Sequence, residues 1–469
     1  MTERAAYGHE ARLPRDELER SLVGASTTPF WLDVPTPAHA PRLVGDEAAD
    51  LLVVGGGFCG LWTALQAKER DPARDVVLIE GKRVAWAASG RNGGFVETTL
   101  THGDENGRRH FADELEAIEK LAAENFAGLR ATLERYGIDA EWEETGVLTV
   151  ATEPHQVDEL RGGTEPVLEG EQLRRVTTSP VVRAAVLEHD GLALVNPVKL
   201  ARGLLDVCVR LGVRVYEGTP ALGISDDGDT VVVTTPKGAV RARRVALATN
   251  GFPSLLKRTA LLTVPVYDYV LVTEPLTAEQ LERIGWVGRY GMTDMSRQFH
   301  YYRKTADNRI LWGGYDVVYH RGRRIRPEYD QDNDTFLRLA DHFFTAHPTL
   351  RGTRFSHAWG GMIDMSTKFV SFQGLALGGK VSYSAGYTGL GVAATRFGAA
   401  VMLDLLAGET TPRTALKFVT TKPFPVPPEP LAYPAIQIMR GAIARSDANG
   451  GKDGVLIKGL ELFGIGFDS

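Results

Sequence analysis

Three glycines and one acid carry the first chemical signal in this chain. Gly55, Gly57 and Gly60 stand in Asp50-Leu-Leu-Val-Val-Gly-Gly-Gly-Phe-Cys-Gly60, and Glu80 ends Val76-Val-Leu-Ile-Glu80, twenty residues past the third glycine. This spacing suits a dinucleotide. Gly55 permits a tight turn, Gly57 lets the backbone approach a pyrophosphate, and Gly60 lets a helix pack close to the strand before it. The helix N-terminus offers unbonded N–H groups and a positive dipole end to the phosphates. Glu80 is placed to accept hydrogen bonds from ribose hydroxyls. An ordinary glycine-rich turn would leave unexplained why the second strand ends in a carboxylate.

The elements that must hold these residues follow from the apolar pattern. Residues 51–54 form a buried strand, 61–68 a helix, and a second strand starts at Val76. Ahead of them, 1–49 is an irregular, Pro-rich lead-in with Pro29-Phe-Trp-Leu-Asp33 as an anchor. A long helix is expected over 111–136, with Asp113, Glu114 and Glu116 near its start, where acids suit the dipole. A helix over 197–211 opens at Pro197 and feeds a strand at 213–216. Further strands are expected at 231–235, 243–249, 264–272, 299–303 and 309–312. A helix over 334–344 takes Asn333 as its N-cap. A strand at 381–385 precedes Gly386-Tyr-Thr-Gly-Leu-Gly391 and a helix to about Leu406. The tail after Gly408 opens Pro-rich and ends in a helical segment, and no repeat of fixed period is present.

Composition excludes some functions. The chain has 469 residues, 24% of them charged, with a net charge of −6. That balance gives no nucleic-acid footprint. The basic run Arg321-Gly-Arg-Arg-Ile-Arg326 reads as a solvated loop, at most a patch for an anionic partner. Two cysteines, Cys59 and Cys208, fit a reducing compartment without structural disulfides. No apolar run is long enough to span a membrane, and Met1-Thr-Glu-Arg-Ala-Ala-Tyr7 has no apolar signal core. A cytoplasmic protein is expected.

Gly389-Leu-Gly391-Val-Ala-Ala394 imitates a second fingerprint, but no strand ending in an acid follows it. It fits a second helix N-terminus aimed at the same cofactor. One dinucleotide unit near the start and a glycine-rich helix start near the end is the layout of an FAD protein. The fold class is therefore α/β with mixed α+β character: a Rossmann-like FAD-binding domain interleaved with a β-sheet-rich substrate domain. The expected partition gives 50–100, 190–260 and 375–408 to the FAD-binding domain. It gives 101–189 and 261–374 to the substrate domain, and 409–469 to a C-terminal extension.

Several separated motifs resemble the D-amino-acid oxidase superfamily of FAD-dependent oxidoreductases. Within it the chain is similar to the γ-glutamylputrescine oxidase-like branch and, more distantly, to glycine and sarcosine oxidases. The motifs are Ala49–Leu65 around the glycine turn, Ala88-Ser-Gly-Arg-Asn-Gly-Gly94, Ala246-Leu-Ala-Thr-Asn-Gly251 and Val272-Thr-Glu-Pro-Leu276. They continue with Tyr301-Tyr-Arg-Lys-Thr-Ala-Asp-Asn-Arg-Ile-Leu-Trp-Gly-Gly314, Trp359-Gly-Gly-Met-Ile-Asp364 and Ala385-Gly-Tyr-Thr-Gly-Leu-Gly391. The resemblance covers about 28–469. It implies a cofactor set of Gly55, Gly57, Phe58, Cys59 and Gly60, then Glu80, Gly81, Lys82 and Arg83. To these it adds Ser89, Gly90, Arg91, Asn92, Gly93 and Gly94 on the pyrophosphate and flavin N5 side, and Ala221 at the adenine. Thr249, Asn250 and Gly251 lie along the cofactor, and Gly386, Tyr387, Thr388, Gly389, Leu390 and Gly391 face flavin O2 and N1. Arg91 and Asn92 also suit a plain polar turn.

Departures from relatives narrow the expectation. Where some attach FAD through a cysteine, this chain has Trp359, and no histidine follows Ser89, which implies noncovalent FAD. A lysine beside the flavin in sarcosine oxidases corresponds to Trp312, and a carboxylate-holding lysine to Ala393.

Amine oxidation by a flavin needs a neutral amine whose α-C–H points at N5. Tyr302, Tyr269, Trp312 and Trp359 are expected as aromatic walls that exclude water or hold a cation, with Tyr302 matching a family position over the flavin. Arg303 and Lys368 are candidates for binding an acidic group or supporting oxygen chemistry, and His102 for reaching the site. Each also has an ordinary reading as core aromatic, surface ion pair or structural histidine. The expected function is oxidation of a C–N bond in a small amine or amino-acid-like substrate, with O2 or another electron acceptor. An NAD(P)H-dependent flavin hydroxylase or halogenase and a flavin-binding protein without turnover are the alternatives.

Overall fold

The computed structural model describes residues 5–35 and 40–461; residues 1–4, 36–39 and 462–469, parts of the expected lead-in and C-terminal extension, lie outside the described residues. In chain order, the framing elements are strand β1 (Glu47–Val54), helix α1 (Phe58–Arg70), β2 (Val76–Ile79), α2 (Leu115–Tyr136), β3 (Gly238–Leu247) and β4 (Thr263–Thr273). They continue with β5 (His300–Lys304), β6 (Ile310–Gly314), α3 (Asn333–Ala346), β7 (Phe355–Ser366), β8 (Val381–Ala385), α4 (Gly391–Ala407) and α5 (Ala432–Ala448).

The first sheet has eight strands and runs Phe372–Ala376, β8, β3, β1, β2, Arg214–Tyr216, with a hairpin of Gly223–Asp227 and Thr230–Thr235 added on β3. β8, β3, β1 and β2 are parallel, and Val54 lies opposite both Leu247 and Ile79, so three strand ends meet at the glycine turn. Residues 51–54 and 76–79 are buried on both faces, as a covered parallel sheet requires. Helices α1, α2 and α4 share the core on one face through Trp62, Leu65, Leu129, Phe397 and Met402. Val233, Leu256, Phe372 and Tyr383 pack on the other.

The second sheet has seven strands, in the order β7, β4, β6, β5, Gly291–Asp294, Val147–Ala151, Ala184–Glu188. Strands β4 to β7 are antiparallel, with Asp268 opposite Gly361, Tyr301 opposite Gly313, and Tyr302 opposite Trp312. Successive strand side chains point to opposite faces. One face turns Tyr267, Tyr269, Leu271, Tyr302 and Trp312 into a core with Phe336 and Phe343 of α3. The other turns Val270, Leu311, Tyr301 and Trp359 toward Trp31, the tryptophan of the expected lead-in anchor.

Several expectations change in detail. The long helix is split: Asp104–Phe111 is a separate helix, a 3-10 turn follows, and α2 begins at Leu115. Both helical pieces precede the second sheet in sequence, yet α2 buries its apolar stripe against α1 and α4 in the first layer, so 101–189 does not act as one substrate-domain block. The cap of α3 is Asp332, whose carboxylate accepts the Thr335 N–H at 2.9 Å; Asn333 is its first helical residue. Helix α5 docks on the second sheet's side, where Asp447 accepts the backbone N–H groups of Arg297 (3.1 Å) and Gln298 (3.0 Å).

Candidate active site

The glycine turn is built for close approach. A Cβ on Gly60 would sit 1.9 Å from the Gly55 carbonyl oxygen, so only glycine lets α1 start this near β1. Gly57 caps α1 without a side-chain bond, and the Ser89 Oγ accepts the Phe58 N–H at 2.9 Å, leaving its own O–H to donate to a phosphate. Glu80 is buried at the end of β2. Its Oε2 accepts Gly56 N–H at 2.7 Å, and its Oε1 accepts Lys82 N–H at 2.8 Å and Trp86 Nε1–H at 3.0 Å. Oε2 keeps a lone pair for a ribose hydroxyl. Burial raises the Glu80 pKa against the pull of these donors. Cys59 lies under the turn, accepting a 3.3 Å bond from the Tyr387 hydroxyl, and burial pushes its thiol up to about 12.

The loop from Ser89 to Gly94 is fastened from outside. Asn92 closes it, donating to Ala88 O (2.9 Å) and accepting Gly94 N–H (2.9 Å). Arg91 donates to Asp330 Oδ2 and Gly360 O, both at 2.8 Å, and to Trp86 O at 2.9 Å. Two indoles hold the loop's carbonyls: Trp31 Nε1 donates to Asn92 O (2.9 Å) and Trp359 Nε1 to Arg91 O (3.0 Å). Thus Arg91 and Asn92 spend their side chains on the loop and the facing sheet. Arg303 does likewise: Nη1 donates to Val195 O at 2.7 Å and Gly94 O at 3.4 Å, and burial lowers its pKa to about 10. Gly94, with φ of 77°, has no room for a Cβ beside Val195 O and that guanidinium.

A second pair of loops meets at Asp364, at the end of β7. Its carboxylate accepts the Gly386 N–H and, with the Asn250 amide oriented by this network, both carboxylate oxygens receive the amide nitrogen at 2.7 and 2.6 Å. It thereby joins Thr249–Gly251 to the 386–391 loop. Burial pushes Asp364 up to about 7. Gly389 is exposed, and α4 opens at Gly391 with no side-chain cap, so its N–H groups remain for a ligand. His102 lies 3.4 Å from Tyr387 O through Nε2, and burial lowers its pKa to about 4, which keeps it neutral.

Opposite the Ser89–Gly94 loop stands the unexpected part of the site. The Tyr301 ring lies between Gly93 and Gly313, where Cβ atoms would come within 2.8 and 2.7 Å of it. Its hydroxyl donates to Asp268 Oδ2 at 2.5 Å, and Asp268 Oδ1 accepts the Tyr269 N–H at 2.8 Å. Burial raises Asp268 to about 6 although these donors and Gly314 N–H favour its anion. Asp268, Tyr301, Gly361 and Ile363 are only half-buried despite lying on an inward face, as are Arg91 and Asn92 below them. These residues are thus partly exposed on the face that meets the loop, and a Cβ on Gly389 would sit 4.0 Å from Ile363 Cδ1.

The expected catalytic aromatics fall mostly elsewhere. Tyr302, Tyr269 and Trp312 face α3: Tyr302 packs 4.4 Å from Trp312, and Tyr269 donates its hydroxyl to Tyr329 O at 2.8 Å. A one-residue offset in a strand reverses the face, so their neighbours Tyr301, Asp268 and Gly313 face the Ser89–Gly94 loop side instead. Trp359 is on the inward face but fully buried, and its indole N–H supports the Arg91 carbonyl. Lys368 packs over Phe111, 5.7 Å from its ring centroid, and burial lowers its pKa; it is not part of the Asp268–Tyr301 face. Ala393 is buried in α4, where its carbonyl accepts the Asn125 amide. Asp268, Tyr301 and Asp364 were not singled out from the sequence as site candidates. Asp268 carried a signal, being an acid inside an otherwise apolar strand and in need of a partner once buried.

A largely parallel sheet with a phosphate-ready glycine turn, facing a largely antiparallel sheet across the Ser89–Gly94 loop, is the two-domain arrangement of a flavoprotein oxidoreductase. The chain belongs to the DAO family, FAD dependent oxidoreductase, whose model matches residues 50–405. It is 31% identical to gamma-glutamylputrescine oxidoreductase of Escherichia coli strain K12 over 394 residues, covering 80% of this chain and 88% of that one. It is 25% identical to the probable oxidoreductase OrdL of Haemophilus influenzae, covering 79% and 85%. Among solved structures, glycine oxidase from Geobacillus kaustophilus superposes with a TM-score of 0.66 at 18% identity, over 81% of this chain and all of that one. The protein is an FAD-dependent oxidoreductase acting on amine or amino-acid-like substrates, and the residues of the glycine turn, Glu80 and the α4 N-terminus suit that cofactor. No helix among the described residues is long and apolar enough to cross a membrane.

Proposed function

We propose that the protein oxidises the C–N bond of a small amine, with O2 as electron acceptor, giving an imine that hydrolyses to a carbonyl compound, and hydrogen peroxide. The observation that carries this reading is the half-buried, hydrogen-bonded Asp268–Tyr301 pair on the sheet face that meets the Ser89–Gly94 loop. The bound flavin would supply the hydride acceptor, N5. Glu80, Ser89 and the turn at Gly55–Gly60 would hold its adenosine and pyrophosphate, and the 386–391 loop its pyrimidine edge. On this reading Tyr301, fixed between two glycines, orients the substrate, and Trp359 and Arg303 keep the loop beneath it in place. FAD is bound noncovalently, since indole at 359 offers no attachment chemistry. The two buried free thiols suit a reducing, cytoplasmic setting. The test is product analysis under air: peroxide and carbonyl compound formed in equal amounts from an amine. Carbonyl without peroxide would replace oxygen by another acceptor.

A further inference from the structure

The carboxylate of Asp268 has four lone-pair positions and three donors: Tyr301 O–H, Tyr269 N–H and Gly314 N–H. One position is left. Among the described residues no lysine, arginine or histidine forms an ion pair with it. Two arginines on this side bond elsewhere, Arg91 to Asp330 and Gly360 O, and Arg303 through Nη1 to Val195 O and Gly94 O, its buried Nε having no partner. An anion held on an inward face without a cation is costly.

We infer that Asp268 is the substrate's ammonium-binding residue and its proton acceptor, so that the substrate is an amine without a carboxylate on the reacting carbon. The inference rests on the amine-oxidation reading above. The ammonium donates to the free position of Asp268, while the Tyr301 oxygen, whose own proton is given to Asp268, accepts a second N–H. Asp268 then takes one proton to become a carboxylic acid. The nitrogen lone pair so freed forms the C=N bond as the adjacent C–H bond breaks. Its electron pair would leave as hydride to the bound flavin, which would supply the two-electron acceptor. Water hydrolyses the iminium to the carbonyl compound and the released amine or ammonia. A carboxylate on the same carbon would sit beside an anion with no cation to receive it.

Two probes of one shape and opposite charge test this: tert-butylammonium and pivalate. Neither carries hydrogen on the carbon that bears the charged group, so binding is read without turnover, by calorimetry on the FAD-loaded protein. Wild type should bind tert-butylammonium in preference to pivalate. Asp268→Asn should lose about tenfold or more of the ammonium affinity, with pivalate unchanged or tighter. Tyr301→Phe keeps the charge and should lose less, which supplies the test if Asp268→Asn fails to retain FAD. Preference for pivalate, or equal ammonium affinity in wild type and Asp268→Asn, overturns the inference while amine-driven flavin reduction, if seen, keeps the broader reading. Ammonium binding lost in Asp268→Asn, with no amine able to reduce the flavin, supports the cation site and retires the oxidation.

Discussion

Tyr301 and Asp268 come from different strands, β5 and β4, which do not pair with each other, and they meet across β6 because Gly313 lies between them without a side chain. The 2.5 Å bond crosses the open side of that glycine and sets a phenol and a carboxylate over the cofactor loop.

The two adjacent tyrosines should therefore separate in function. Tyr301→Phe should slow flavin reduction by about tenfold, the worth of one charge-assisted bond, with FAD content unchanged. Tyr302→Phe should leave the reduction rate near wild type, since its ring packs on Trp312. Stopped-flow reduction of both variants decides this, and the reverse ranking would return the site to Tyr302.

The acid at the end of β2 should govern cofactor retention. Glu80→Ala removes an ionised acceptor worth about 1.5–3 kcal/mol, so FAD affinity should fall by about tenfold to a hundredfold. Glu116→Ala on α2 should bind FAD as wild type does. Fluorescence titration of apoprotein with FAD gives both constants; equal affinity would remove the ribose role of Glu80.

Acid precipitation should release FAD into the supernatant. Yellow colour kept in the pellet would show a covalent link, and FMN in solution would show a different cofactor.

Most of the first layer was legible from sequence because its signals are local. The turn glycines, Glu80 and the β2 end lie within one short stretch, and parallel strands buried on both faces read as continuous apolar runs. The substrate face was not legible in the same way. In β5 aromatics occupy both faces, Tyr301 and Tyr302, while Tyr267 and Tyr269 of β4 and Trp312 of β6 all face α3, so the aromatic pattern marks strands without saying which side meets the cofactor. Register decides that, and register is fixed by pairs distant in sequence, such as Asp268 with Gly361. Asp364 was hidden for the same reason, since its partners at 250 and 386 are far along the chain.

Ionisation of Asp268 should cost stability. In an unfolded chain an aspartate titrates near about 3.9, whereas burial holds Asp268 at about 6. The folded state thus binds the proton more tightly. The cost is absent below about pH 4, grows through the interval to about pH 6, and is full above it. The melting temperature of Asp268→Asn relative to wild type should rise between pH 4.5 and pH 7.5, by an amount equivalent to about 1–3 kcal/mol. A pH-independent difference would mean that Asp268 is not strained in the fold.

The central claim is that an amine gives its α-hydride to the flavin at this site. Anaerobic mixing of the FAD-loaded protein with an amine panel, followed at the visible flavin band, tests it most directly. At least one amine should bleach the band, several-fold more slowly when its α-hydrogens are deuterium, and faster as pH rises and the proton leaves the nitrogen. Bleaching by NADPH with none by any amine would contradict the account and point to a hydroxylase.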